Sequence, residues 1–383
     1  MELFGVAALG FGGAAESLAS SSKPSNAGVP KRTLGSTGLK ISEIGFGGYP
    51  VDDPKVVLYA IDRGITYIDT SDDYRNGASE RVIGEAIRSR RQDVVLATKI
   101  HPWKDTPKSE ILGAVEGCLK RLRTDVIDLL QIHQVGKASG GQSIERLTNP
   151  ALLEAMDELR RSGKVRFFGV TGHDGDLMDV FRFVLDSGNF QSMLMRYNLL
   201  DYADQEALIV RGRKAGVGTI AMKTLAGAKD ADLARFRGKG TSFRQAALKW
   251  VLSNRYLSGL IISISSKEQV DEYAAAAGAP LTSADVRVLA DYAASKGAEV
   301  CRFCNACEPA CPENLRIADI LRFGMYAGDY GGAAYTEKGR ALYAGLRVKP
   351  EHCESCSAPC VAACPYELDV RQLTLRSKRL FES

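Results

Sequence analysis

The chain has 383 residues, of which 45% are apolar and 25% charged, a globular composition that excludes both a disordered and a membrane class. Its 50 basic and 46 acidic residues leave a net charge of +4, which excludes the concentrated positive charge of a nucleic-acid binder. Cys118 is alone in the first 300 residues, and the other eight cysteines lie between 301 and 364. That distribution points to a metal module appended to a cysteine-poor domain rather than to a disulfide framework.

Residues 1–29 read as a signal-like segment and linker. Leu3 to Ala15 is apolar and small, and a polar stretch from Ser20 to Pro24 follows it. The stretch resembles the part of a twin-arginine signal that follows the arginine pair, which implies a periplasmic protein; a cytoplasmic protein with a free tail is the alternative. It is too short to span a bilayer. Lys31 to Ile41 then reads as a β-hairpin around a glycine-containing turn.

From residue 44 strand-like and helix-like patterns alternate. The apolar runs are Ile44–Gly48, Thr66–Thr70, Val94–Ile100, Ile127–His133, Val165–Thr171, Gln191–Tyr197, Thr219–Thr224 and Leu260–Ser265. Each is followed by a helical pattern, the last running from Glu268 to Ala277. Eight strand-then-helix units predict an α/β fold, a (β/α)8 TIM barrel over residues 30–280. An open doubly wound sheet is the alternative, but Gly45-Phe46-Gly47-Gly48 does not have the spacing of its phosphate-binding turn. An amphipathic helix capped by Thr282 or Ser283 marks a linker over 281–300, and 301–383 forms a second, mainly helical domain.

Active sites of such barrels lie at the C-terminal ends of the strands. The second strand ends at Asp69, with Tyr74 in the loop beyond; the third ends at Lys99 and the fourth at His133. Three neighbouring strands thus bring an acid, a base and an imidazole to one rim. An ammonium beside a tyrosine favours phenolate and lowers its pKa from ~10, and a carboxylate keeps that ammonium charged and fixed. With a histidine to orient the carbonyl, the set would protonate a carbonyl oxygen as hydride reaches its carbon.

These residues carry a family resemblance. The stretches Gly38-Leu39-Lys40-Ile41-Ser42, Ile68 to Tyr74, Ala97-Thr98-Lys99 and Gln131-Ile132-His133 resemble, in order, the signatures of the aldo-keto reductase superfamily. The resemblance implies that Tyr74 is the general acid/base, that Asp69 and Lys99 tune it, and that His133 orients the carbonyl of a small carbonyl or alcohol substrate. It also implies NADPH or NADH lying across the rim, with Thr171, Lys223, Ser265, Ser266 and Gln269 as its contacts. Ser266 opens a capping-box pattern whose free N–H groups suit an anion, and Lys229, Arg235, Arg237 and Lys239 could close over a pyrophosphate. Several positions depart from the common pattern. The run Gly169-Val170-Thr171-Gly172-His173 stands where many relatives have Ser-Asn, Leu194 where a glutamine is usual, Met222 where an aromatic residue is, and Gln269 in place of an arginine. Met222-Lys223 with Thr171-Gly172-His173 resembles the iron–sulfur branch of the superfamily.

The second domain carries Cys301-x2-Cys304-x2-Cys307-x3-Cys311-Pro312 and Cys353-x2-Cys356-x3-Cys360-x3-Cys364-Pro365. Four thiolates per run, each run ending in Cys-Pro, predict two [4Fe-4S] clusters rather than zinc or disulfides. The spacer 312–352, with helical patterns at 317–326 and 334–346, resembles the α-helical ferredoxin type. In two-cluster ferredoxins the last cysteine of each run ligates the other cluster. The spacing therefore predicts Cys301, Cys304, Cys307 and Cys364 on one cluster, and Cys353, Cys356, Cys360 and Cys311 on the other. Cys118 reads as a buried, inert thiol. Two functions compete: a nicotinamide-dependent carbonyl/alcohol oxidoreductase with a possible redox partner protein, and an electron-transfer or scaffold iron–sulfur protein whose barrel has lost nicotinamide binding.

Overall fold

A computed structural model describes residues 28–136, 142–173, 175–228, 233, 235–238, 240–328 and 333–382. Most of the signal-like segment, Lys229 and Lys239 lie outside these residues, and Arg237 is described by its backbone alone. The N-terminal hairpin pairs β1 (Lys31–Thr33) with β2 (Lys40–Ser42). The barrel follows as β3 (Ile44–Gly47), β4 (Tyr67–Asp69), β5 (Val95–Ile100), β6 (Ile127–Ile132), β7 (Val165–Gly172), β8 (Ser192–Arg196) and β9 (Gly218–Met222). A second small hairpin, β10 (Arg237–Gly238) and β11 (Thr241–Ser242), precedes β12 (Gly259–Ser263), which pairs with both β9 and β3 and closes the ring. All eight barrel strands are parallel. Helices cover their outer faces, so the strands are buried on both sides and read as near-continuous apolar runs.

Register sets the rim chemistry. Asp69 lies opposite Ala97, and Lys99 opposite Gln131, so the last inward-facing positions of β4, β5 and β6 are polar. Below them the interior is apolar. Tyr67, Ala97, Leu129, Leu194 and Ile220 pack with Leu34, Leu39 and Ile41 of the hairpin, which stops the N-terminal end of the barrel. Gly35 makes this possible: its φ is +51°, and a methyl there would stand 2.3 Å from the Gly216 carbonyl oxygen.

The outer helices begin at side-chain caps. Asp53 accepts from the Lys55 N–H ahead of Pro54–Asp62, and Asn149 from the Ala151 N–H ahead of Pro150–Arg161. The expected linker helix spans Ser283–Lys296, opened by a capping box between Thr282 and Asp285. It is no free connector. Val288, Leu289 and Tyr292 are buried in the barrel's own core, and the Tyr292 hydroxyl donates to the Ala226 carbonyl at 3.1 Å.

The C-terminal domain has its own core, in which Phe303, Leu315, Ile320, Phe323, Tyr343 and Leu368 pack together. Its longer helices are Ile317–Gly328, Ala333–Ala344 and Val370–Glu382. The first two rest on the C-terminal rim of the barrel. The Tyr49 hydroxyl donates to the Ala334 carbonyl at 2.6 Å, and the Ser263 and Tyr335 hydroxyls lie 2.8 Å apart. The cysteine loop touches the rim as well: a methyl on Gly175 would stand 2.7 Å from the Cys304 carbonyl oxygen. Among the described residues no helix is long and apolar enough to cross a membrane.

Candidate active site and cluster domain

The four rim residues expected to act together do meet. Lys99, 1% exposed, forms an ion pair with the fully buried Asp69. The same ammonium donates to the Thr70 carbonyl at 2.5 Å and to the Tyr74 hydroxyl at 3.4 Å. The second Asp69 oxygen accepts from Gln131 Nε2 at 2.7 Å, so the carboxylate is held from two strands. His133 is buried, its Nδ1 3.0 Å from the Ser71 hydroxyl, and its ring centroid lies 5.7 Å from that of Tyr74. Arg146, fully buried, donates to the carbonyls of Pro102, Gln134 and His133 and fastens the loops beyond β5 and β6.

The electrostatics correct one expectation. The Tyr74 pKa is raised well above its ordinary value, not lowered. Burial is the largest cause, and the Asp69 and Asp73 carboxylates add to it. Lys99 cannot reverse this, because Asp69 already offsets its charge. Tyr74 is therefore held as a neutral O–H donor. Burial likewise raises Asp69, against the pull of Lys99 and Gln131. His133 is pushed far down, by burial first and then by His101, Lys99 and Lys338, so its imidazole is neutral.

Five further residues take part that were not among the expected site residues. Ser71 and Gln131 support His133 and Asp69. His101 lies with its ring 4.5 Å from that of His133. Asp73, His101 and His133 each offer a ligand atom within 4.8 Å of the others, an arrangement that could hold a metal ion. Lys338 comes from the other domain, with Nζ 5.4 Å from the centroid of the Tyr74 ring.

The cysteines group across the two runs. Burial pushes the Cys301 thiol up to about 12, and the thiols that act on it are Cys304 and Cys364. Burial also raises Cys353 and Cys360, and the next influence on each is Cys311. Cys311, Cys353, Cys356 and Cys360 line a single cavity of about 230 Å³. Backbone N–H groups are aimed at the sulfurs, from Phe303 to Cys301 at 3.3 Å and from Ala358 to Cys356 at 3.4 Å. Thiols converging on a cavity, with N–H donors on the sulfurs, suit an iron–sulfur cluster. None of the nine cysteines is in a disulfide, and Cys118 is buried with its thiol held protonated by that burial.

Residues 44–232 match the aldo/keto reductase family and residues 300–368 the 4Fe-4S dicluster domain. The barrel is an aldo/keto reductase domain. Among its relatives is the Bacillus subtilis protein named uncharacterized oxidoreductase YqkF, 34% identical over 46% of this chain and 59% of its own length. L-galactose dehydrogenase of Arabidopsis thaliana is 29% identical over 65% of this chain and 88% of its own. An aldo/keto reductase of Klebsiella pneumoniae, solved in complex with NADP and acetate, is similar at a TM-score of 0.57 and 27% identity. That similarity covers 69% of this chain and 95% of the Klebsiella chain.

Of the five positions expected to hold a dinucleotide, the reductase domain leaves three open. Ser265 is exposed, and Ser266 and Gln269 are half-buried at the start of helix Lys267–Ala274. The Ser266 hydroxyl accepts from the Gln269 N–H, but the Gln269 side chain reaches back to Ser265, at 2.8 Å from its N–H, rather than to Ser266. The other two positions are engaged. Thr171 is 1% exposed and its hydroxyl accepts from the Gln134 N–H at 2.8 Å. Lys223 Nζ donates to the Tyr326 hydroxyl of the cluster domain at 3.3 Å. Beside it Arg322 lies 3.1 Å from His173 Nδ1. Arg235 does not close over the rim either; it reaches Ser295 on helix Ser283–Lys296 at 3.1 Å.

Proposed function

We propose that this protein interconverts a small carbonyl compound and its alcohol at the rim of the barrel. Tyr74 exchanges the proton with the substrate oxygen, His133 orients that oxygen, and Lys99 and Asp69 hold Tyr74 in place. One observation carries the reading: a single buried ammonium, Lys99, touches Asp69, the Thr70 carbonyl and the Tyr74 hydroxyl together. Neutral Tyr74 donates; neutral His133 can accept or donate one hydrogen bond without adding charge to a buried site. The two cysteine groups would hold two [4Fe-4S] clusters, which serve as one-electron carriers or as staples of the domain.

NADPH or NADH is the hydride source that the family resemblance suggests, and the Klebsiella relative was solved with NADP. Ser265, Ser266 and Gln269 suit the phosphate end of such a molecule. At the nicotinamide end Lys223 and His173 are already engaged by Tyr326 and Arg322, so a nicotinamide would have to compete with those contacts of the cluster domain. That observation favours a second reading, an electron-transfer or scaffold protein whose barrel no longer takes a nicotinamide. Titration of the anaerobic holoprotein with NADPH and NADH, followed by nicotinamide fluorescence, separates the two. Saturable binding with carbonyl-dependent oxidation supports the enzyme; no binding to the wild type or to Tyr326→Ala supports the scaffold.

A further inference from the structure

Helix Ala333–Ala344 of the cluster domain carries a cation into the reductase site. Lys338 Nζ lies 4.8 Å from the ring centroid of Tyr49, 5.4 Å from that of Tyr74 and 6.0 Å from that of Tyr326. Tyr49 and Tyr74 belong to the barrel rim, so the ammonium sits at the seam of the two domains, half-buried, beside the proposed proton donor. Among the described residues Lys338 has neither an ion-pair partner nor a hydrogen-bond acceptor. Its neighbour Glu337 is exposed.

Aromatic faces attract an ammonium through their quadrupoles, but they provide no strong acceptor for its three N–H donors. A half-buried cation in such a setting keeps donors free for an anionic ligand. Lys223, across Tyr326, adds a second ammonium without a carboxylate partner among the described residues. Among the described residues no carboxylate is paired with either ammonium: Arg322 is matched by Asp319 and Asp69 by Lys99, while Asp73 and Glu337 act on Tyr74 and Tyr49 from exposed positions.

We propose that Lys338 binds a carboxylate of the substrate, so that the site takes a carbonyl compound bearing its acid group at or next to the carbonyl carbon, a 2- or 3-oxo acid or the matching hydroxy acid. The placement sets that spacing. The substrate oxygen must meet Tyr74, and Lys338 lies over the ring of the same tyrosine, so carbonyl and anion must be close together in one small molecule. The cluster domain then completes the substrate site of the barrel. This inference rests on the carbonyl/alcohol reading above.

The test is binding, so that it does not depend on turnover. Anaerobic holoprotein is titrated by calorimetry with pyruvate and with its uncharged amide, pyruvamide, for the wild type, Lys338→Gln and Lys338→Arg. Iron content and the melting temperature check that each variant is folded with its clusters. The expected result is pyruvate binding that weakens tenfold or more in Lys338→Gln and is largely kept in Lys338→Arg. Pyruvamide should bind weakly and equally to all three. Equal pyruvate affinity in wild type and Lys338→Gln, or pyruvamide binding as tightly as pyruvate, overturns the proposal. Should Lys338→Gln lose its clusters, the pyruvate-to-pyruvamide preference of the wild type and of Lys338→Arg still decides. Lys338-dependent pyruvate binding without any reduction of it by NADPH or NADH would leave the anion site standing and remove the carbonyl-reductase reading.

Discussion

Lys223 at the end of β9 donates its ammonium to the hydroxyl of Tyr326, 103 positions further along the chain, across 3.3 Å. The contact joins a barrel strand to a helix of the cluster domain. Burial pushes Tyr326 up, but Lys223, Arg322 and Lys338 outweigh it and hold the phenol below its ordinary value. Tyr326→Ala removes the acceptor and the ring together. If the nicotinamide seat beneath is intact, the variant should bind NADPH or NADH at least tenfold more tightly than the wild type, read by nicotinamide fluorescence. Unchanged affinity would show that Tyr326 does not obstruct it.

Tyr74→Phe removes one hydroxyl and keeps the ring that packs against Tyr49 at 5.5 Å. Loss of a positioned proton donor costs on the order of 10²–10⁴ in rate. Carbonyl reduction by the variant should fall by that factor, with iron content and dinucleotide affinity unchanged. Wild-type turnover in Tyr74→Phe would exclude Tyr74 as the donor.

The pH dependence follows from the sign of the Tyr74 shift. A raised pKa keeps the donor protonated through neutral pH and beyond ~10. Carbonyl reduction should therefore lose nothing to Tyr74 ionisation below that pH, while alcohol oxidation, which needs the base, should climb as pH rises. His133, pushed far down, should add no titration between pH ~6 and ~8. A reduction rate that falls with a midpoint near pH ~8, absent in Tyr74→Phe, would mean that Lys99 lowers the phenol after all.

Lys99→Met should destabilise the barrel by about 3–5 kcal/mol, because it leaves the Asp69 carboxylate buried without its partner. Adding Asp69→Leu removes the stranded charge. The double variant should recover much of the loss in urea denaturation followed by circular dichroism. A double variant less stable than Lys99→Met would mean that Asp69 is held mainly by Gln131.

Anaerobically purified protein should carry about eight iron and eight sulfide, as two [4Fe-4S] clusters require. The crossed grouping predicts that Cys364→Ser perturbs the same electron paramagnetic resonance signal as Cys301→Ser, and that Cys311→Ser perturbs the signal affected by Cys353→Ser. Zinc in place of iron, or pairing of Cys364 with the Cys353 signal, would break the assignment.

The barrel was legible because each strand is short, apolar and followed by a helical pattern; observed β6, Ile127–Ile132, differs from the expected run by one residue. Asp69, Tyr74, Lys99 and His133 were legible because strand ends converge on one rim. What escaped depends on burial and docking. Neighbouring charges can be read in a sequence, but the desolvation that raises Tyr74 cannot. The helix Ser283–Lys296 was expected as a connector, yet its apolar stripe is spent on the barrel core through Val288, Leu289 and Tyr292. Lys338 looks like any surface lysine on a helix until the domain is laid on the rim.

The barrel is stoppered at its floor and partly roofed at its rim. Leu34, Leu39 and Ile41 shut the floor, and the helices carrying Arg322, Tyr326 and Tyr335 roof the side above β7, β9 and β12. Asp73 and His101 on the opposite side keep part of their surface in water, and Trp103, two residues beyond His101, is 37% exposed. An approach to Tyr74 from that side would meet an acid, an imidazole and an indole. Arg146, bonded to the carbonyls of Pro102 and His133, ties the two loops on that side to each other.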